Sequence, residues 1–567
     1  MTTSYDANRP ELCPIRHNID ISTCSDANWN LARQWLSRCK DSHDCAEVKG
    51  GRHPTRLIQM NQHGESIKMR LRASESLVAE QEYCTLSHCW GKHQFTMLER
   101  HNLLALHQDI PMRNLSKTFR HAVLAACKVG FEYIWIDALC IVQDDEEDWQ
   151  REAATMATVY AHSSLNFAAT AATDGTGGCF HLRNPDVIRR VKPFKAKGTG
   201  GMYGTDSTYL CSVASSWDAE VERSPLFRRG WVLQERAIAP RTLHFGKSQI
   251  YWECGETGSC EQFANVIPWW DATTTSTKEL RAAIDRNEPW SWWKNVVAEY
   301  SRMSLTREDD IFVAISALAS RYQAATGDQY IAGLWRTGLE RNLTWKSTFD
   351  DTAKDLSVTK ALRPVRYTAP TWSWGSLCRP VKLRNVSNKW KQTELLSSVV
   401  DVKVAASSQN MFGQVASAFI RIRCHRLRRA AVSDATPDRK NAFMLRHTSY
   451  YMPRYESDKR WPGYSGYKKP YWLSFDTGPP ENLENIYMMG AETRKWSVDI
   501  VRGLLLESTR ACGEYRRVGC FRMGEYFGDD SESGTCFSSL PVAGEASAYE
   551  EVVEPDERGC SYVITLI

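Results

Sequence analysis

The chain has 567 residues, 42% of them hydrophobic and 24% charged, and carries a net charge of +4. That balance is ordinary for a globular protein, and the length suffices for two or three domains, each with its own core. So small a net charge speaks against a nucleic-acid binder, and no apolar run approaches the ~18 residues that a membrane span requires.

The 18 cysteines are spread along the chain instead of being packed into a small scaffold. Residues 1–10 lack the apolar segment of a secretory signal, and the C-terminal residues carry no lipidation motif. Reduced thiols and a cytoplasmic location are therefore expected.

Residues 1–80 read as an extension that packs on the core. Trp29 to Cys39 has helical spacing. Cys39, His43 and Cys45 follow, with Cys24 upstream. C-x3-H-x-C is not a standard finger spacing and no second CxxC pair appears, so these are read as small buried cysteines at a helix end, with no metal predicted.

The next block, 81–255, carries the strongest signals. Tyr83-Cys-Thr-Leu-Ser-His-Cys-Trp-Gly91 reads as a strand and loop. A helix follows, with Ser116 as N-cap and Gly130 as stop. Tyr133-Ile-Trp-Ile136 then forms a strand buried on both faces and ends in Asp137. A second helix over 147–161 places Trp149, Ala153, Met156 and Tyr160 on one stripe. Leu165 to Ala169 is a third strand. This alternation predicts a parallel sheet with crossover helices, and ligands bind at the carboxyl ends of such strands. Residues 172–222 read as a glycine-rich loop without a phosphate-loop spacing. Thr242–Phe245 and Gln249–Glu253 are further strands.

Residues 256–375 are expected to be mainly helical and 376–567 β-rich, with strands at Val399–Val404, Ala418–Arg423, Ile500–Leu506 and Tyr562–Ile567. A Pro/Gly/Tyr-rich stretch, 450–482, interrupts them. The basic run Ile420-Arg-Ile-Arg-Cys-His-Arg-Leu-Arg-Arg429 lacks interleaved aromatics and reads as a solvated strand face.

Three blocks together resemble the fungal heterokaryon-incompatibility (HET) family. They are Tyr83 to Gly91, the stretch from Thr118 through Trp135-Ile-Asp-Ala-Leu-Cys-Ile-Val-Gln143 to Tyr160, and Arg229-Gly-Trp-Val-Leu-Gln-Glu-Arg236 with Pro240-Arg-Thr-Leu243. Tyr330-Ile-Ala-Gly-Leu-Trp-Arg336, Ala369-Pro-Thr-Trp-Ser-Trp-Gly375 and Tyr515-Arg-Arg-Val-Gly519 resemble the region that follows in many such proteins. His88 departs from the family, which often has an aromatic residue there.

The resemblance implies intracellular nonself recognition, growth arrest or regulated cell death, self-association and an incompatibility partner protein. It also implies a remote likeness to TIR domains, hence a flavodoxin-like sheet and cleavage of NAD as a substrate, with no resident cofactor. Glu235 then becomes the candidate catalytic carboxylate, four residues after Trp231, because an oxocarbenium-like state is stabilised by a nearby carboxylate. Asp137 is the second acid, orienting a ligand or a catalytic loop. Trp90 offers a stacking face and Ser87 a hydroxyl for ribose or phosphate. Trp231 and Arg229, in the third block, complete the ligand-holding set.

Each residue also has a plainer reading. Glu235 could be an exposed acid paired with Arg229 or Arg236, and Asp137 a cap or a partner of Arg228 or Arg229. Ser87 to Trp90 could be a buried turn. Two further functions stay open: a non-enzymatic signalling module, and an enzyme acting on a small metabolite.

Overall fold

In the computed structural model, the strand predicted to end at Asp137 forms over Tyr133–Trp135, with all three residues buried. The structure describes residues 4–5, 19–45, 53–64, 66–78, 81–92, 95–185, 192–196, 207–211, 217–265, 280–348, 363–378, 380–384, 393–408, 410–429, 472–477, 485–494, 499–525, 537, 540 and 542–567. They belong to two units, Met1–Glu279 and Leu280–Ile567.

The first unit is built on one mixed sheet of eight strands: β1 (Arg56–His63), β2 (Ser66–Ala73), β3 (Cys84–Ser87), β4 (Tyr133–Trp135), β5 (Leu165–Ala168), β6 (Arg241–Phe245), β7 (Ile250–Cys254) and β8 (Gly258–Cys260). Their spatial order is β8-β7-β6-β5-β3-β4-β1-β2. The four central strands are parallel, with β3 between β4 and β5, and β6 beyond β5. Taken in chain order their arrangement is 2-1-3-4, so the direction of winding reverses between β3 and β5. Antiparallel hairpins extend both sides, β1–β2 next to β4 and β7–β8 next to β6. Residues 56–73, within the predicted extension, thus supply two strands of the sheet. At the outer edge, Ile110 N–H donates to the Met69 carbonyl of β2 (2.8 Å) and His107 Nδ1 lies 2.9 Å from the Leu71 carbonyl.

The helices that flank these strands include α1 (Asp26–Ser42), α2 (Lys117–Val129), α3 (Asp137–Cys140), α4 (Glu146–His162) and α5 (Gly230–Ile238). The caps explain two of them. Ser116 accepts from Phe119 N–H at the start of α2, and Gly130 ends it in the left-handed region. Asp145 accepts from Glu147 and Asp148 N–H at the start of α4, whose first turn is acidic and suits the helix dipole. The buried stripe of α4 includes Asp148 and Glu152 beside Ala153, Met156 and Tyr160, while Trp149 is only half-buried. The acids are inside because Arg56 of β1 pairs with both. α5 has no side-chain N-cap and only nine residues. Its stability must come from packing: Val232 joins a core with Cys89, Trp217, Leu226 and Phe227.

In the second unit the helices are modest: Leu280–Asp285, Pro289–Tyr300, Ser316–Thr326 and the single turn Leu339–Asn342. Trp293, Tyr322 and Trp335 pack between them, with ring centroids 4.3 to 5.9 Å apart. A ten-stranded sheet dominates the C-terminal part and contains the strands expected near 399, 418, 500 and 562. In its core Arg517 pairs with Asp476 (2.6 Å), donates to the Trp345 carbonyl (2.6 Å) and lies over the Trp345 ring. In the basic run, Arg421 pairs with Glu550 and Glu551. Much of the 172–222 loop and most of the 450–482 stretch, all but residues 472–477, lie outside the described residues.

Candidate functional site at the carboxyl ends of the parallel strands

The site forms where β3, β4 and β5 end. Ser87 is the last residue of β3, and Asp137 starts α3 just past β4. Asn166 of β5 bridges the gap: its Nδ2 donates to Ser87 Oγ (3.1 Å), and its Oδ1 accepts from Thr85 Oγ1 (3.0 Å). α5 brings Glu235 to the same place, 4% exposed. The Ser87 and Tyr160 hydroxyls lie near enough to favour its charged form, although Ser87 Oγ is bonded to Asn166, Tyr160 donates to the Leu86 carbonyl (3.4 Å), and Oε2 has no partner among the described residues. Burial lifts this carboxyl from an ordinary 4.5 to about 6, and the Arg229 guanidinium and the two hydroxyls only partly oppose it.

Asp137 holds the rim. Its Oδ2 accepts from Trp90 Nε1 (2.8 Å) and its Oδ1 from Ala138 N–H (2.7 Å). Its side chain is 19% exposed, and Trp90 and Arg229 are half-buried beside it. Arg229 donates to the His88 backbone carbonyl, tying the start of α5 to the loop after β3. His88 itself is buried. It packs edge-on against Phe119 (4.9 Å) and parallel to Trp90 (6.3 Å), with Nδ1 3.6 Å from Asp137 Oδ1. Burial first, then Arg229, push its imidazole down to about 4, against the pull of Asp137, so the ring is neutral near pH 7. Gly91 closes this loop at φ +68°, where an added Cβ would stand 2.2 Å from Asp174 Cβ.

The structure therefore gathers Ser87, Trp90, Asp137, Arg229 and Glu235. Trp231 sits half-buried one helical turn before Glu235, on the same helix face. The plainer reading of Glu235 as an exposed acid does not fit its burial. Arg236 is engaged elsewhere, held by Glu253 (2.8 Å) and Glu222 (2.9 Å) with its guanidinium 4.6 Å from the Phe227 ring centre. Tyr160 is the residue that sequence reasoning missed. Its place on the apolar stripe of α4 concealed a hydroxyl that donates to the Leu86 carbonyl (3.4 Å), at the end of β3, and feels the charge of Glu235. Cys89 belongs to the core, and burial raises its thiol above the ordinary range.

Residues 83–235 match the family model of the heterokaryon incompatibility protein (HET). The chain carries a HET domain. The match starts just before β3 and ends at Glu235, so it spans every residue of the site while leaving β1, β2, β6, β7 and β8 outside it. It points to a heterokaryon-incompatibility-type function. No curated protein and no solved structure matches the chain. Among the described residues no helix is long and apolar enough to cross a membrane, and every cysteine is a free thiol.

Proposed function

We propose that the chain is an effector of heterokaryon-incompatibility-type nonself recognition whose HET domain cleaves NAD, with growth arrest or cell death as the outcome. The observation that carries this reading is Glu235, a buried carboxylate with its pKa raised to about 6, placed where the winding of the parallel strands reverses. In sheets of order 2-1-3-4, as in flavodoxin-like folds, nucleotides bind at that point. At pH 7 Glu235 is mostly ionised and more basic than an ordinary carboxylate. The bond between the nicotinamide nitrogen and ribose C1 breaks, and its electron pair leaves with nicotinamide. Glu235 stabilises the positive charge that develops on the ribose. Water then adds to C1 and loses a proton, giving ADP-ribose. Ser87 offers a partner for a ribose hydroxyl, Trp90 and Trp231 aromatic faces for a base, and Arg229 a charge for the pyrophosphate. Asp137 positions Trp90.

The test is nicotinamide release from NAD by the purified full chain, alone and clustered on a scaffold. Release by the wild type and its loss in Glu235→Gln are expected. Unchanged NAD with clustered wild-type protein would sink the enzymatic reading.

The depth of Glu235 favours a second reading, in which the same polar network braces a self-associating signalling module that binds a partner protein. Growth arrest in cells would then survive Glu235→Gln at normal protein levels.

A further inference from the structure

Three cysteines and one histidine meet at the other end of the sheet. Cys39 lies in the last turns of α1, His43 caps that helix, Cys45 follows two residues on, and Cys254 ends β7. Cys254 pairs in register with Arg241, the first residue of β6, so this group sits at the amino ends of the parallel strands, away from Ser87 and Glu235. One ligand atom from each of the four residues lies within 4.8 Å of all the others. His43 Nδ1 stands 3.4 Å from Cys254 Sγ. With Zn–S near 2.3 Å and Zn–N near 2.0–2.1 Å, tetrahedral ligand atoms stand roughly 3.5–3.8 Å apart, so small adjustments complete the geometry.

The surroundings fit charged sulfurs. Arg241 Nε–H points at Cys39 Sγ (3.1 Å), and Thr257 N–H points at Cys254 Sγ (3.4 Å). Such donors are the outer shell that zinc-bound thiolates take. Asp44 N–H donates to Glu256 (2.8 Å), which ties the His43–Cys45 segment to the turn after Cys254 without the metal. Cys24, upstream of Cys39, His43 and Cys45 in the sequence, is not in the group; Cys254 is its fourth member.

We propose that Cys39, His43, Cys45 and Cys254 bind one zinc ion in a closed Cys3His site that clamps α1 to the β7–β8 hairpin. Four protein ligands leave no open position, so the ion is structural. The competing arrangement is a disulfide between two of the three cysteines.

The test uses full-length protein purified in reducing buffer without added metal. Elemental analysis is expected to find about one zinc per chain. Cobalt replacing the zinc is expected to give intense tetrahedral d–d bands and a sulfur-to-cobalt charge-transfer band. Cys254→Ser is expected to lose the metal, and His43→Cys to retain it as a four-cysteine site. Should Cys254→Ser fail to fold, the cobalt spectrum of the wild type still decides. Zinc far below stoichiometry together with no cobalt charge-transfer band would overturn the proposal. So would a thiol count showing a disulfide within the group.

Discussion

Glu235→Gln should make the HET-bearing unit more stable at neutral pH, even though it removes the residue on which the proposed chemistry depends. The carboxyl titrates near 6 in the folded chain, against about 4.5 when exposed. A tenfold difference in proton affinity is worth about 1.4 kcal/mol, so burial of this carboxylate costs about 2 kcal/mol in all. The folded state binds this proton more tightly than the unfolded state. Stability is therefore highest below the unfolded pKa and falls as pH rises through the folded one. At pH 8 the ionised carboxylate is at its full cost; at pH 4.5 most of that cost is gone. Glutamine keeps the shape and drops the charge, so a gain of about 1–2 kcal/mol is expected at pH 8 and little at pH 4.5. For a unit of this size that is a rise of a few degrees in Tm. Calorimetry of the full chain from pH 4.5 to 8, following the transition of the first unit, measures it. A variant less stable than wild type at pH 8 would refute the reasoning, since Arg229, Ser87 and Tyr160 would then hold the charge better than water does. The same measurement certifies the fold of the variant used in the NAD assay.

His88 titrates in the opposite sense. Its folded pKa of about 4 lies below the ordinary 6.5, so its contribution is present above 6.5 and is lost as pH falls toward 4, about 3 kcal/mol in total. His88→Phe should flatten that acid limb, and urea midpoints at pH 5 and 7 that change as in wild type would contradict it. In the second unit, Arg517→Met should cost about 3–5 kcal/mol by leaving Asp476 buried without its main partner. Urea unfolding of that unit reads the loss, and a cost below about 1 kcal/mol would mean that Arg363, 3.5 Å from Asp476, takes over the charge.

What was legible in the sequence was local. Ser116, Gly130 and Asp137 announce where elements begin and end because caps and strand ends use specific residue types. The burial of Glu235 was not legible. Glu235 beside Arg236 reads equally well as an exposed charged pair, and only the folded chain supplies Glu222 and Glu253 to neutralise Arg236 inside the core. Tyr160 was visible as an apolar residue but not as a hydroxyl aimed at the site. In the same way, nothing local connects Cys254 to Cys39. Register in β6–β7 and the packing of α1 bring them together, and spacing rules written for compact fingers miss a grouping whose members lie that far apart in the chain. The helices of the middle region are modest, and among its described residues Trp293, Tyr322 and Trp335 fill an aromatic core between short elements, a packing that local spacing does not announce.

The outer strand of the sheet limits how a second chain could join it. β2 alternates Lys68, Arg70 and Arg72 on one face with buried Met69 and Leu71 on the other. Two of its edge carbonyls are already occupied by Ile110 and His107. At the opposite edge, β8 has only three residues. Charge, cover and brevity are the means by which sheets resist unwanted strand addition. Among the described residues, the two edges of this sheet offer a second chain no ready template of backbone hydrogen bonds, so a partner that meets the HET-bearing unit there would recognise side chains and loops.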